Sequence, residues 1–305
     1  MRFQLFGKFL AECEEQKLQG LDACKEQELF SYLLVHRNRP HPRESLASLL
    51  WANTSTERSK KYLRQALWHI ATALQDSGTE QKLLQVEHDW VQLKMQPGVW
   101  ADVVVFDDAF AVAQGIAAAK LDTATVTRLK EAVEVYKGDL LEGWYQDWCL
   151  FERERFQNSY LYMLDKLMAH ATEHGDYEAG QAYGAMILSY DRASELTYRR
   201  LMKLRFEAGD RTGALRQYQR CVTALREELG VKPERRTQQL YEQIKADDVT
   251  GPNELSDRLE SGLSVALPSL LGRLKRLHHV LTAAQNRVQR DISAVEQAMK
   301  TKTTK

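Results

Sequence analysis

Residues 54–74 constrain this chain more than any other stretch. They read Thr-Ser-Thr-Glu-Arg-Ser-Lys-Lys-Tyr-Leu-Arg-Gln-Ala-Leu-Trp-His-Ile-Ala-Thr-Ala-Leu. Leu63, Leu67, Ile70 and Leu74 recur at helical spacing, with Ala66 and Ala73 beside them, so one narrow face is apolar. Arg58, Lys61, Arg64, Gln65, Trp68 and Thr72 fall on the opposite face. Ser55 or Thr56 supplies an N-cap, with Arg rather than Glu three residues after Ser55, so no capping box forms. Such a helix seats one side on a core and offers long cations and a flat amide on the other. That chemistry lies along phosphates and reaches base edges. Taken alone, the pattern describes an ordinary amphipathic surface helix more often than a reader of DNA. Its neighbours in the chain decide between the two.

The chain of 305 residues has room for two domains and an appended element. With 44% hydrophobic residues it can bury substantial cores. Its formal net charge is zero, which excludes a wholly basic nucleic-acid coat. The charge is uneven, however: residues 36–74 hold seven Lys/Arg against two acids, an excess of five. A neutral chain with such a patch remains a workable DNA binder. Cys13, Cys24, Cys149 and Cys221 form no CxxC pair or regular framework, and read as free thiols in a reducing cytoplasm. The N-terminus lacks the apolar core of a signal peptide, and no run approaches transmembrane length. The expected location is cytoplasmic.

Taken in order, residues 2–10 place Phe3, Leu5 and Phe9 at even separations, as in a half-buried strand. A short second strand is expected around residues 17–21. Residues 25–36 carry Leu29, Phe30, Leu33 and Leu34 at helical spacing, and two prolines within residues 37–42 stop that helix. Residues 43–51 form a second helix, and residues 54–74 a third. Residues 82–94 read as two strands turning near His88 and Asp89. Strands, helix, helix, longer basic helix and hairpin is the order of a winged helix-turn-helix, with the third helix as recognition helix and the hairpin as wing. This stretch resembles the OmpR/PhoB-type effector domain, on the Leu49-Leu50-Trp51 run, the basic helix after it, the leading strands and the closing hairpin.

From residue 101 the chain becomes almost entirely helical. Residues 102–118, 123–136 and 148–174 all show helical periodicity. Gly175-Asp176 and Gly209-Asp210 stand 34 residues apart, the tetratricopeptide period, each followed by small residues (Ala179, Ala182, Gly213, Ala214) that let paired helices approach closely. Stacked pairs of this kind build a solenoid. The segments Ala208-Gly209-Asp210, Ala214-Leu215-Arg216-Gln217-Tyr218 and Glu228-Leu229-Gly230-Val231-Lys232-Pro233-Glu234 resemble the bacterial transcriptional activator domain (BTAD). The helix from Trp148 to Phe156, with Glu152, Arg153, Glu154 and Arg155, is similar to the start of that domain's long helix. Where the family carries Asp-Pro before the second repeat, this chain has Asp191-Arg192. An OmpR-type winged helix ahead of a BTAD is the arrangement of SARP-like transcriptional regulators.

The resemblance implies a mainly α fold: a winged helix-turn-helix with small β-sheets over residues 1–100, then a TPR-like α-solenoid over 101–247. Beyond it, residues 248–266 read as a polar linker, and residues 267–300 as an amphipathic coiled-coil helix. The function implied is a non-enzymatic, sequence-specific transcription regulator that binds promoter DNA, contacts RNA polymerase and needs no cofactor. The candidate DNA contacts are Arg58, Lys60, Lys61, Arg64, Gln65 and Trp68 on the third helix, Arg37 before it and His88 at the wing tip. The alternative is a TPR-type interaction adaptor whose winged helix no longer binds DNA. His170-Ala-Thr-Glu-His174 matches the H-x-x-E-H pattern of a zinc protease, yet two histidines ending a helix are more simply favourable partners of its dipole.

The last helix carries Leu267, Leu270, Leu274, Leu277, Leu281, Ala284, Val288, Val295 and Ala298 at alternating steps of three and four, broken by Asp291. About four such heptads read as a helix that joins two chains in a homodimer, the alternative being a helix folded back on the repeats. With the pairing, truncation after Ser264 converts a dimer into a monomer in light scattering. A truncated chain that stays dimeric would place dimerisation in the repeats.

Overall fold

A burial conflict near the N-terminus sets up the first unit. Strand β1 (Arg2–Gln4) runs antiparallel to β2 (Leu10–Cys13), with Phe3 opposite Ala11. Extended backbone does not continue through residues 5–9 as the alternation predicts. The N–H groups of Leu5 and Phe6 instead donate to the Asp102 carboxylate, at 2.7 and 2.8 Å, and Gly7 turns the chain at φ +87°. The computed structural model that shows this describes residues 1–76 and 83–247. Expectations for the linker and the coiled-coil helix lie outside the described residues. The chain divides into two compact units, Met1–Cys149 and Leu150–Lys305.

In the first unit, β3 (Gln16–Lys17) follows a tight turn in which Glu14 and Glu15 adopt positive φ. Helix α1 (Cys24–Val35) buries Leu29, Phe30, Leu33 and Leu34, and Phe30 packs on Phe3 with ring centroids 4.7 Å apart. The proline-containing segment stops α1 as its residues predict, and also supplies a strand the sequence did not reveal, β4 (His41–Pro42). Helix α2 (Arg43–Leu50) and helix α3 (Thr56–Asp76) follow; α3 buries Leu63, Ala66, Leu67, Ile70, Ala73 and Leu74, the apolar stripe read from spacing. Strands β5 (Leu84–Val86) and β6 (Trp90–Leu93) form the expected hairpin, with Val86 opposite Val91. Strand β4 joins it in a sheet of order β4-β6-β5. Strand β7 (Trp100–Ala101) pairs parallel to β1 and closes the N-terminal sheet in the order β3-β2-β1-β7.

Helices α4 (Asp102–Ala113) and α5 (Thr123–Val135) also belong to this unit. Phe106 of α4 lies 5.1 Å from Phe6, and Tyr136 lies 4.8 Å from Phe6, so these rings form one aromatic cluster. Arg37, expected on DNA, is taken up here instead. It is only 7% exposed, and its guanidinium donates to Asp107 (3.3 Å) and Asp108 (3.2 Å) of α4. A buried guanidinium needs such partners, because leaving it unpaired out of water costs several kcal/mol. Its role is to hold the end of α1 against α4.

Five helices make the second unit's described part: α6 (Asp147–Glu173, entering from the first unit), α7 (Tyr177–Tyr190), α8 (Glu195–Glu207), α9 (Arg211–Leu229) and α10 (Arg235–Ala246). The repeated Gly-Asp pairs do one job twice. Gly175 and Gly209 take left-handed φ of +71° and +81°, and the next residue caps the helix that follows. Asp176 accepts from the Ala179 N–H (3.2 Å), and Asp210 from the Gly213 N–H (2.8 Å). Close helix approach uses one of the small residues that spacing indicated, Ala214, which is fully buried against Met202, Leu240 and Ile244, but in the first repeat it uses others. Ala182 is exposed, whereas Gly180 and Gly184 are buried, and a Cβ on either would stand under 3.0 Å from Leu204 or Leu201 of α8. At the α7–α8 turn, where Arg192 follows Asp191, the Arg192 guanidinium reaches Glu228 (2.9 Å) and Glu227 (3.3 Å) of α9 at the surface.

Asp102 is 2% exposed, and burial pushes its carboxyl up from an ordinary 3.8 to about 6, against the pull of its backbone donors. With the folded value raised, protonation favours the folded state: the contribution is fully present below about pH 4 and is lost as pH rises through 6. The shift corresponds to roughly 3 kcal/mol. Urea unfolding of wild type and Asp102→Asn across pH 4–7 should therefore show the wild type losing that much relative to the variant. A pH-independent difference would mean that Asp102 does not titrate in this range.

Candidate nucleic-acid interface

The apolar stripe of α3 fixes which side of the helix faces outward. With Leu63, Leu67 and Ile70 buried, Arg58, Lys60, Lys61, Arg64, Gln65 and Trp68 are all exposed along the other side. The first helical hydrogen bond, from the Ser59 N–H to the Ser55 carbonyl, puts Ser55 at the cap position. Helix α2 supports α3 from behind through Leu46, Ala47 and Leu50. On the α1 side, His69 of α3 pairs with the Glu26 carboxylate. The six candidate side chains therefore project from a helix held on two sides.

A groove of about 920 Å³ opens between the start of α2, the first half of α3 and the hairpin tip, with Arg43, Glu44, Lys60, Arg64, His88 and Asp89 on its walls. Arg43 ties two walls together: its N–H donates to the Asp89 carbonyl (2.9 Å) and its guanidinium to the Glu87 carbonyl (3.1 Å). Lys60 is not on its own, since its Nζ lies 2.5 Å from the Glu44 carboxylate. His88 projects at the hairpin tip beside Asp89, 2.5 Å from its carboxylate. Among the described residues, no ion pair holds Arg58, Lys61 or Arg64.

Trp68 stands apart from this groove. It is 65% exposed and borders a second groove of about 670 Å³ between α3 and the β2–β3 hairpin, with Lys17, Gly20, His69 and Thr72. The structure thus gathers Lys60, Arg64 and His88 around one groove, sets Arg58, Lys61 and Gln65 along the same helix, and removes Arg37. Arg43, Glu44 and Asp89 were missed as groove residues. An Arg-Glu pair opening a helix directly after Pro42 was the available signal for the first two; strand pairing of β4 with β6 brings them to the wing, and no local pattern encodes that.

His170 and His174 stack with ring centroids 4.0 Å apart, and His174 Nδ1 lies 2.9 Å from the His170 carbonyl at the end of α6. Among the described residues, no three His, Cys, Asp or Glu side chains gather to hold a metal ion. Among them also, no helix is long and apolar enough to cross a membrane.

Residues 101–245 match the family model of the bacterial transcriptional activator domain. That segment, a little under half of the chain, is similar to this activator domain. Its match starts at the first residue before α4 and ends within α10, so it includes two helices that pack in the first compact unit. Mycobacterium tuberculosis EmbR, solved in complex with a low-affinity phosphopeptide, shares the fold with a TM-score of 0.63 at 18% identity, over 87% of this chain and 70% of that one. No curated protein matches the chain. The segment similar to the activator domain thus follows a winged helix-turn-helix, and the fold is that of EmbR.

Arg64 is exposed, borders the groove and is held by no described acid, so it is the first of the candidate DNA contacts to test. Arg64→Ala should weaken binding to a promoter duplex by a factor of about ten or more, given ~1–3 kcal/mol for a good base contact. Unchanged affinity at physiological salt in a duplex titration would remove Arg64 from the readers.

Proposed function

We propose that this chain is a sequence-specific DNA-binding transcription activator. The observation that carries the proposal is the exposed face of α3 in a winged-helix unit, whose Arg58, Lys61 and Arg64 have no ion-pair partner among the described residues, with Arg64 lining an open groove. In this reading α3 enters the major groove, as the second helix of a helix-turn-helix does. Arg58, Lys61 and Arg64 divide phosphate contacts and bidentate guanine readout, and Gln65 faces adenine or a phosphate. The wing reaches the neighbouring backbone with His88 at its tip. The activator domain presents a surface to RNA polymerase, and two protomers occupy repeated half-sites in the cytoplasm. No step of this function calls for catalysis.

The zero net charge and the helical repeats are compatible with a second reading, an interaction adaptor whose winged helix does not bind DNA. Footprinting of the chain on the DNA upstream of its own gene separates the two. The activator yields protected repeats at a regular spacing, with affinity falling steeply as salt rises. Absence of protection at low salt would leave the adaptor.

A further inference from the structure

The groove at the front of α3 is not uniformly basic. Glu44 and Asp89 share its walls with Arg43, Lys60 and Arg64. Glu44 sits in the first turn of α2, where the helix dipole favours a carboxylate, and its oxygen lies 2.5 Å from Lys60 Nζ. The two side chains are 79% and 48% exposed. An ion pair so open to water does little to hold α2 on α3, a task met by buried Leu46, Ala47, Leu50 and Leu63. Its consequence is electrostatic. A phosphate that reaches Lys60 competes with Glu44 for its charge and faces the Glu44 carboxylate as a like charge.

Resting on the DNA-binding reading above, we propose that Glu44 is a specificity-determining residue that withholds Lys60 from the phosphate backbone. Sequence-independent affinity comes from cations that neutralise phosphates and release counterions, and each such contact adds about 0.9 to the salt slope. Pairing Lys60 removes one contact from that pool and leaves a carboxylate in its place. Base readout by Arg58, Lys61 and Arg64 is untouched, because no described acid holds them. Specificity is the ratio of specific to non-specific affinity, so lowering the second raises the ratio even as total affinity falls.

The test uses the full chain and a random-sequence duplex, titrated at several salt concentrations. Glu44→Gln keeps the side chain's size at an exposed position. It should tighten random-sequence binding about three- to tenfold at low salt, steepen the salt slope by about 1, and lose the gain at high salt. Lys60→Met alone should change random-sequence affinity less than twofold, but should cancel the gain in the Glu44→Gln background. Wild-type binding with no change in Glu44→Gln would overturn the proposal while leaving the DNA-binding reading standing. So would weaker binding of Glu44→Gln to a duplex selected for tight binding, which would make Glu44 an acceptor for a cytosine amino group. If the wild type bound no duplex at low salt, the DNA-binding reading would fail and this inference with it.

Discussion

The carboxylate of Asp102 is the contact on which the first unit depends. It accepts hydrogen bonds from the Leu5, Phe6 and Val103 backbone N–H groups, at 2.7, 2.8 and 2.7 Å, in a site almost closed to water. Three donors offset much of what burial costs the charge, and the raised pKa measures what they leave uncompensated. In exchange the side chain ends β1, opens α4 and joins the two across nearly a hundred residues of sequence. Phe6, placed by that contact, then meets Phe106 and Tyr136. Arg37, whose ion pairs with Asp107 and Asp108 secure the end of α1, completes the attachment of α4.

This arrangement gives the activator domain a divided anchorage. Its first two helices pack with the winged helix in one compact unit, while α6 from Leu150, with α7 to α10, lies in the other. The division follows from chemistry rather than from composition. Both parts read as amphipathic helices, but α4 begins with an acid that takes up the N–H groups of Leu5 and Phe6, just past the N-terminal strand. In the second unit, order comes from a repeated local device: a left-handed glycine, then an aspartate that caps the next helix. Gly180 and Gly184 then let α7 approach α8 closely.

Among the cations of residues 36–74 two kinds coexist. Some are committed within the protein, Lys60 to Glu44 and Arg37 to α4, and others are not. A count of basic residues over 36–74 treats them alike. A DNA backbone would not, because a cation already satisfied gains little by changing partners. The useful charge at such a surface is set by pairing, and pairing depends on which helices are neighbours.

Periodicity alone determined a good deal here. The buried stripe of α3, the hairpin after it, the 34-residue spacing of the capped helices and the mainly helical remainder were all legible, because each depends on residues within one turn or one repeat. Tertiary structure decided what depends on distant partners. The early end of β1 required Asp102, the burial of Arg37 required Asp107 and Asp108, and the extra strand β4 required β6. The exposure of Ala182 and the burial of Gly180 and Gly184 depended on which side of α7 meets α8. The same holds for the groove: six side chains from α2, α3 and the wing share it because strand pairing and helix packing bring together segments from 16 to 44 residues apart in sequence. Local spacing encodes which face of a helix is apolar, but not which charge will stand opposite the polar one.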